Sequence, residues 1–332
     1  MSKLEEVIQR YLDLGINQQI DYEKYYLYSI ITHSTAIEGS TVTELENQLL
    51  FDEGITAKGK TLAEQQMNVD LKAAYEESLA LVRKHSEISV DMLRHLAAIV
   101  MKGTGKTYRT ALGDFSSANG DLRLLNVTAG VGGRSYMSFN KVPQKLNEFS
   151  QSLNESRRQA SNLSVQQRYD VSFDAHFRLV TIHPWADGNG RMSRLLMNHL
   201  QFEFGLIPTK ILREDKEEYI KALIEAREQD DLQVFRDFMS DMMMKNLNSE
   251  IALYLQSTEE TVGEFSISRE KKPKSREKIL ELLTENPKLT IAGLSAAIGI
   301  GAKAVEKQLA KLRADGRLRR VGPAKGGHWE LN

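Results

Sequence analysis

The chain has 332 residues, of which 41% are hydrophobic and 27% charged, and its net charge is −1. No apolar run approaches the roughly 20 residues that a membrane-spanning helix needs, and the N-terminus, MSKLEEVIQRYLDLG, lacks the apolar centre of a signal peptide, so we expect a cytoplasmic protein with no membrane partner. The absence of cysteine excludes disulfides, thiolate metal sites and cysteine catalysis.

Only six prolines and long apolar patterns of period 3.6 predict a mostly α-helical fold. Residues 4–31 are predicted to form one or two amphipathic helices. Residues 61–84 form another, with Thr61 and Glu64 at capping-box spacing, and residues 89–102 follow with Ser89 as the N-cap.

The stretch 103–139 is rich in Gly, Ser, Asn and Thr, which favours loops and short strands. LRLLNVTAG and RSYMSF could pair as a hairpin across Gly-Val-Gly-Gly. Helices are predicted to resume near Pro143, to include 164–182, and to continue to about residue 250.

The segment HPWADGNGRMSR, residues 183–194, has the features of an anion site. Pro184 disfavours helical geometry at His183 and ends the preceding helix. Gly188, Asn189 and Gly190 tolerate open or left-handed backbone, so successive N–H groups can converge on one anion at the start of the next helix.

Two arginines extend this pattern. Arg191 and Arg194 lie three residues apart on one helix face, and two guanidiniums beside a backbone nest imply more than one phosphate group. Asp187 is a hard oxygen ligand suited to a Mg²⁺ that bridges phosphates, and a neutral His183 could take a proton from an attacking hydroxyl. These residues predict phosphoryl or nucleotidyl transfer.

Residues 183–194 resemble the Fic-domain signature His-Pro-Phe-x-Asp/Glu-Gly-Asn-Gly-Arg-x-x-Arg, with Trp185 in place of Phe. We interpret Trp185 as the anchor that holds the loop to the core. The resemblance, over about residues 90–245, implies a helical fold and transfer of AMP from ATP to a Ser, Thr or Tyr hydroxyl of a target protein.

The resemblance also implies a role for each residue of the motif. His183 would be the general base and Asp187 the Mg²⁺ ligand, while Arg191 and Arg194 would bind the β- and γ-phosphates above the nest formed by residues 188–190. Fic proteins carry a hairpin flap that docks the target by strand pairing, which we place at Val127–Met137, after a stretch from Gly113 to Leu125 that looks like an insertion.

Once that resemblance is recognised, the upstream segment Ser34-Thr35-Ala36-Ile37-Glu38-Gly39 becomes informative. It is similar to the family's inhibitory motif, Ser/Thr-x-x-x-Glu-Gly/Asn, on a helix before the catalytic core. Glu38 would pair with Arg194 and repel the γ-phosphate, so that ATP binds with its α-phosphorus misaligned. Ser34 is the first residue of this motif.

The C-terminal region is basic, with 15 Lys and Arg against 7 Asp and Glu from Arg269 onward. After the polar stretch SISREKKPKSRE, residues 275–332 read as three helices and two short strands and resemble a winged helix-turn-helix. Lys303, Lys307 and Lys311, spaced by four, could face a DNA backbone, although such modules also bind proteins.

The predicted organisation has four parts: an N-terminal helical region with the inhibitory motif (1–88), a Fic catalytic domain (89–250), a linker (251–274) and a winged helix domain (275–332). The primary prediction is an autoinhibited protein adenylyltransferase. A de-AMPylase and a DNA-binding regulator whose Fic-like core senses nucleotide are the alternatives. Homo-oligomerisation is left open.

Overall fold

The computed structural model describes residues 1–128, 135–267, 275–298, 301–322 and 327–331. It divides into two compact units, Met1–Leu253 and Tyr254–Asn332. Both are mostly helical, as the apolar periodicity predicts. Of the helices in these ranges, none combines the length and the apolar character needed to cross a membrane.

The first unit contains ten described α-helices, the last of which continues beyond it, and one two-stranded sheet. The elements are α1 (Lys3–Asp13), α2 (Tyr25–Ile37), α3 (Glu44–Glu53), α4 (Leu62–Arg83), α5 (Val90–Val100), β1 (Thr107–Thr110), β2 (Gly113–Ser116), α6 (Val142–Arg158), α7 (Val165–Ile182), α8 (Asn189–Glu203), α9 (Lys216–Gln229) and the first part of α10 (Leu232–Ile267).

Local sequence signals set several helix starts. Thr61 caps α4 and forms a reciprocal capping box with Glu64, and Ser89 accepts the Met92 N–H at the start of α5. Both were predicted from the sequence, because a hydroxyl at the N-cap satisfies an amide that the helix itself cannot.

A shared apolar core fixes the position of the loop between α7 and α8. α8 packs along α7 and against α4, and α4 packs against α5. Leu71, Leu96, Leu179 and Leu195, one from each of these four helices, are fully buried. Burial of each such side chain contributes roughly 1.5–3 kcal/mol to the stability of the fold. The α7–α8 loop is therefore held between well-packed helices.

A regular hairpin that was not predicted individually precedes the predicted flap. β1 and β2 pair antiparallel around a two-residue turn, with Thr110 opposite Gly113 at φ 122° and Tyr108 stacked on Phe115. β2 lies within the segment from Gly113 to Leu125 that looks like an insertion, whereas β1 precedes that segment. Both strands are too short to show a clear alternation of apolar residues.

The predicted flap, Val127–Met137, is described only at its two arms. Thr128 and Ser135 form an antiparallel bridge, and the Tyr136 N–H donates to the Val127 carbonyl at 3.0 Å. Residues 129–134, which include Gly-Val-Gly-Gly, lie outside the described residues. The hairpin tip therefore stays a prediction.

Part of the predicted linker is helical. We placed residues 251–274 in a linker, but α10 continues to Ile267. The stretch from 209 to 272 contains no proline, so nothing in it removes a backbone donor from the helix. Residues 268–274 are not among the described residues.

The second unit, beyond the last part of α10, contains α11 (Ser275–Glu285), α12 (Ile291–Ile298), α13 (Ala302–Ala314), β3 (Leu318–Val321) and β4 (His328–Leu331). β3 and β4 pair antiparallel and form the predicted wing. Ile279, Leu294, Leu309 and Trp329 belong to its own buried core. Residues 299 and 300, between α12 and α13, lie outside the described part of the chain.

Candidate active site

His183 lies at the C-cap of α7 in a left-handed conformation, with φ 52° and ψ 62°. Its N–H donates to the Leu179 carbonyl at 3.0 Å, and its Nδ1 lies 3.2 Å from the Val180 carbonyl oxygen. A carbonyl oxygen can only accept, so Nδ1 carries the proton and Nε2 keeps its lone pair. The turn that Pro184 imposes thus orients the imidazole as a base.

The surroundings of His183 favour its neutral form. Burial lowers the pKa of His183 to about 4, and the cations of Arg123 and Arg227 act in the same direction against the opposing effects of Val180 and Glu38. The Tyr136 ring stacks on the imidazole with centroids 3.8 Å apart and an interplanar angle of 18°. His183 is therefore neutral near pH 7, with Nε2 free of a proton.

The loop after His183 is closed by its own side chains. The Asn189 amide accepts from the Trp185 N–H at 3.1 Å and donates to the Trp185 carbonyl at 2.9 Å. Trp185 is only 1% exposed, and its indole N–H reaches the Gly120 carbonyl at 3.3 Å. Trp185 anchors the loop to the core, as its place in the motif predicts.

The glycines of the loop occupy positions where a side chain would not fit. Gly188 caps α8 with φ 82°, and a Cβ there would lie 2.7 Å from the Met101 Sδ. A Cβ on Gly190 would lie 2.5 Å from Glu38 Oε1. Residues 189–191 open α8, so their N–H groups have no acceptor within the helix and can bind an anion.

Arg194 is held by the helix that carries the upstream motif. Its Nε donates to Ser34 Oγ at 2.8 Å, and its Nη2 donates to the Ser34 carbonyl at 3.0 Å and to Glu38 Oε1 at 2.6 Å. The Arg194 side chain is 4% exposed and the Glu38 side chain 34%. The two residues are 156 positions apart in the chain.

The charge state of this pair follows from competing effects. Burial would raise the pKa of the Glu38 carboxyl, but the charge and hydrogen bond of Arg194 outweigh it and hold that pKa below its usual value. Glu38 is thus ionised near neutral pH, when the guanidinium is charged as well.

Arg191 points elsewhere. It is 3% exposed, and its guanidinium contacts the Val100 carbonyl at 3.3 Å and the Met101 Sδ at 3.0 Å. The Asp187 carboxylate lies 3.7 Å away and accepts the Gly188 N–H at 2.6 Å. The two arginines of the motif therefore share the start of α8 but bind different neighbours.

A pocket of about 590 Å³ opens beside these groups. Its lining includes Glu38, His183, Gly190 and Arg194. Apolar side chains of α9 continue its wall, namely Ile220, Leu223 and Ile224. The pocket thus combines charged side chains and the start of α8 with apolar side chains, which suits a nucleotide.

Three residues of this region escaped the sequence analysis. Tyr136 covers the imidazole, Arg123 donates to the His183 carbonyl at 2.7 Å, and the buried Tyr219 bonds His176 at 2.9 Å. Tyr136 lies in the predicted flap but was not named there, and Arg123 and Tyr219 come from segments with no motif of their own.

In the second unit, Lys303, Lys307 and Lys311 are all exposed on α13, whose opposite side buries Val305 and Leu309. This matches the face predicted from their spacing. On the wing, the Arg319 guanidinium is ion-paired with Glu330.

Comparison with known families identifies two domains. Residues 87–201 match the Fic/DOC family and residues 273–319 match a family described as winged helix-turn-helix DNA-binding. The chain therefore carries a Fic/DOC domain followed by a winged helix-turn-helix domain.

Particular relatives agree with this assignment. The chain is 30% identical over 250 residues to "Protein adenylyltransferase Fic" of Culex quinquefasciatus, which covers 75% of this chain and 45% of the relative. It is 28% identical over 203 residues to "Protein adenylyltransferase fic-1" of Caenorhabditis elegans, covering 60% and 36%. The chain thus spans less than half the length of these curated relatives.

Solved structures share the fold. A Fic-1 structure from C. elegans has a TM-score of 0.61 at 23% identity, covering 76% of this chain and 72% of that one. A Fic family protein from Desulfovibrio desulfuricans has a TM-score of 0.59 at 18% identity, covering 99% and 93%. The second likeness extends over nearly the whole of both chains.

Proposed function

We propose that this protein is an autoinhibited adenylyltransferase that transfers AMP from ATP to a Ser, Thr or Tyr hydroxyl of a target protein. The observation that carries the proposal is the Arg194–Glu38 pair in the pocket that also holds His183. The names of the relatives support the reaction type.

The chemistry follows from the orientation of His183. The target hydroxyl attacks the α-phosphorus of ATP and its proton passes to Nε2, while the bond from that phosphorus to the bridging oxygen breaks and pyrophosphate leaves. The amides at the start of α8 bind the phosphates, and Arg194 stabilises the negative charge of the departing group.

Asp187 is suited to bind a magnesium ion. Its side chain is 58% exposed beside the start of α8, and no group of three or more His, Asp or Glu that could hold a metal is found in the described ranges. A Mg²⁺ ion held by one carboxylate would complete its shell with phosphate oxygens and water and would offset phosphate charge.

Glu38 supplies the inhibition. While it is paired with Arg194, the carboxylate lies where the outer phosphate would bind and repels it. Because AMP transfer needs the leaving group in line with the attacking hydroxyl, even a small misplacement slows the reaction greatly. The wild-type protein should therefore be slow.

We expect the released enzyme also to modify itself, by transferring AMP to one of its own hydroxyl groups. Intact mass after incubation with ATP and Mg²⁺ tests the proposal on three proteins: wild type, Glu38→Gly and Glu38→Gly/His183→Ala. We expect the mass of AMP to be added to Glu38→Gly alone. An equal gain in mass for the wild type and Glu38→Gly would contradict the proposed inhibition, and a modified double variant would contradict the role of His183.

A second function is favoured for the second unit. The three exposed lysines of α13 lie on the face opposite its core, so we propose that this unit binds duplex DNA through phosphate contacts. Lys307→Ala should weaken binding by a similar factor on unrelated sequences and reduce the slope of log affinity against log salt by about one. Binding that does not depend on salt would contradict it.

A further inference from the structure

Arg123 lies at the point where the flap arms meet the catalytic loop. It is 1% exposed, and its guanidinium donates to three main-chain carbonyls, those of His183 at 2.7 Å, Leu125 at 2.8 Å and Met137 at 2.6 Å. Its own N–H donates to the Pro184 carbonyl at 3.0 Å. One side chain thus joins three separate stretches of backbone.

These bonds are unusual for a buried cation. Buried guanidiniums normally pair with carboxylates, but in the part of the chain that the structure describes Arg123 forms no ion pair, and burial lowers the pKa of Arg123. Three carbonyl oxygens take the place of the missing anion. The planar fork of arginine can reach all three at once, which the single ammonium of lysine cannot do.

The bond to the His183 carbonyl acts on a conformation that needs support. His183 is one of three residues other than glycine with positive φ among those described, and such geometry persists only when its surroundings hold it. Arg123 holds its carbonyl, while Leu179 and Val180 hold its N–H and its ring. Without Arg123 the turn that aims Nε2 could relax.

The other two bonds act on the flap. Leu125 and Met137 lie just outside the bridge between Thr128 and Ser135, and Met137 follows the tyrosine that stacks on His183. Fixing both carbonyls sets the spacing of the two arms and the height of Tyr136 above the imidazole.

We propose that Arg123 is a positioning residue that holds the His183 turn and both arms of the flap in one frame, so that a segment docked on the flap is presented to Nε2 in register. This inference rests on the proposed function, in which His183 is the base, and on the docking role of the flap that the family resemblance implies. The bonds themselves are independent of it.

The test compares Arg123→Lys and Arg123→Gln with Arg157→Lys. Arg157 is another arginine of the first unit, with a side chain only 9% exposed, but it bonds Glu203 and the Ser86 carbonyl instead of the flap or His183. Arg157→Lys therefore controls for the loss of a guanidinium network. All are made in the Glu38→Gly background and measured for AMP transfer, for binding of a non-hydrolysable ATP analogue and for thermal unfolding.

We expect Arg123→Lys to lower kcat at least about tenfold while analogue affinity stays within about threefold, because Arg123 does not line the pocket. In an NMR titration of the unliganded protein, His183 should titrate at a higher pH in Arg123→Lys than in the parent, because the released ring gains solvent. This variant keeps the positive charge of the side chain, so a change in the His183 pKa reports a change in the position of the imidazole ring. Arg157→Lys should change neither value.

The proposal would be overturned if Arg123→Lys had the same kcat and the same His183 pKa as the parent. It would also be overturned if both Arg123 variants lost their folded structure, because Arg123 would then be needed for folding. If the Glu38→Gly parent transfers no AMP, the proposed function fails, and the His183 titration still decides the role of Arg123.

Discussion

Arg194 Nη2 lies 2.6 Å from Glu38 Oε1, and Nε of the same guanidinium lies 2.8 Å from Ser34 Oγ. Both partners come from the end of α2, so the arginine expected to bind phosphate is held by the helix that would inhibit it. Ser34 Oγ and Glu38 Oε1 accept from different nitrogen atoms of the same guanidinium, so substitution of either residue can be tested separately.

Ser34→Ala should partly activate the wild-type protein. The variant removes the acceptor of Nε and weakens the hold of α2 on Arg194 by about 1–3 kcal/mol, as for a hydrogen bond to a charged group. We expect self-modification to rise several-fold but to stay below that of Glu38→Gly, measured as incorporation of labelled AMP. Ser29→Ala is the control, because Ser29 lies on α2 but bonds Glu44. Equal rates for the two variants would contradict the role of Ser34.

Gly190→Ala should reveal contact between the loop and Glu38. The added methyl would lie 2.5 Å from Glu38 Oε1, so the substitution should destabilise wild type more than it destabilises Glu38→Gly. The double-mutant cycle compares wild type, Gly190→Ala, Glu38→Gly and the double variant by urea unfolding. We expect a coupling free energy of at least about 1 kcal/mol between the two positions. Additive effects would mean that Glu38 does not lie against Gly190.

His183 should titrate near pH 4 in the unliganded protein. Burial lowers its pKa to about 4, so the imidazole stays neutral down to about pH 5. The ring proton of His183, assigned by its absence from the His183→Ala spectrum, reports this in an NMR titration. A midpoint near the ordinary value of 6.5 would show that the ring is solvated and not buried.

Unfolding of the first unit should become easier in mild acid. Burial lowers the pKa of His176 and of His199 to about 3 and that of His183 to about 4, whereas each takes up a proton near pH 6.5 once unfolded. The contribution of these groups to the free energy of unfolding is complete above pH 6.5 and is lost as the pH falls. Near pH 5 the loss is up to about 4 kcal/mol per pH unit for the three groups together. Urea unfolding at several pH values measures how the free energy of unfolding changes with pH. His199→Gln should reduce the number of protons taken up on unfolding near pH 5 by about one. A slope near zero at about pH 5 would contradict the burial of these rings.

The sequence predicts the parts of the site that are contiguous in the chain. His183, Gly188, Gly190 and Arg194 fall within twelve residues, so loop and helix geometry alone place them together. The helices and their caps at Thr61 and Ser89 were predictable for the same reason, since the responsible side chains lie within one turn.

The long-range contacts could not be predicted from spacing. Nothing local links Glu38 to Arg194, and the pairing was predicted only through the resemblance of the upstream motif. Arg123 stands in the ordinary sequence DLRLLN, where an arginine is expected at the surface. Its burial against the α7–α8 loop results from tertiary contacts, which no local pattern in the sequence indicates. Arg191 shares a helix face with Arg194, yet the end of α5 draws its side chain toward Met101.

The central claim is tested most directly by the position of the label that the protein takes from ATP. Glu38→Gly is incubated with Mg²⁺ and with ATP labelled at either the α- or the γ-phosphorus, with Glu38→Gly/His183→Ala as the control. We expect label from the α-position to be incorporated by Glu38→Gly only, and none from the γ-position. Incorporation from the γ-position, or equal α-label in the control, would contradict AMP transfer by His183.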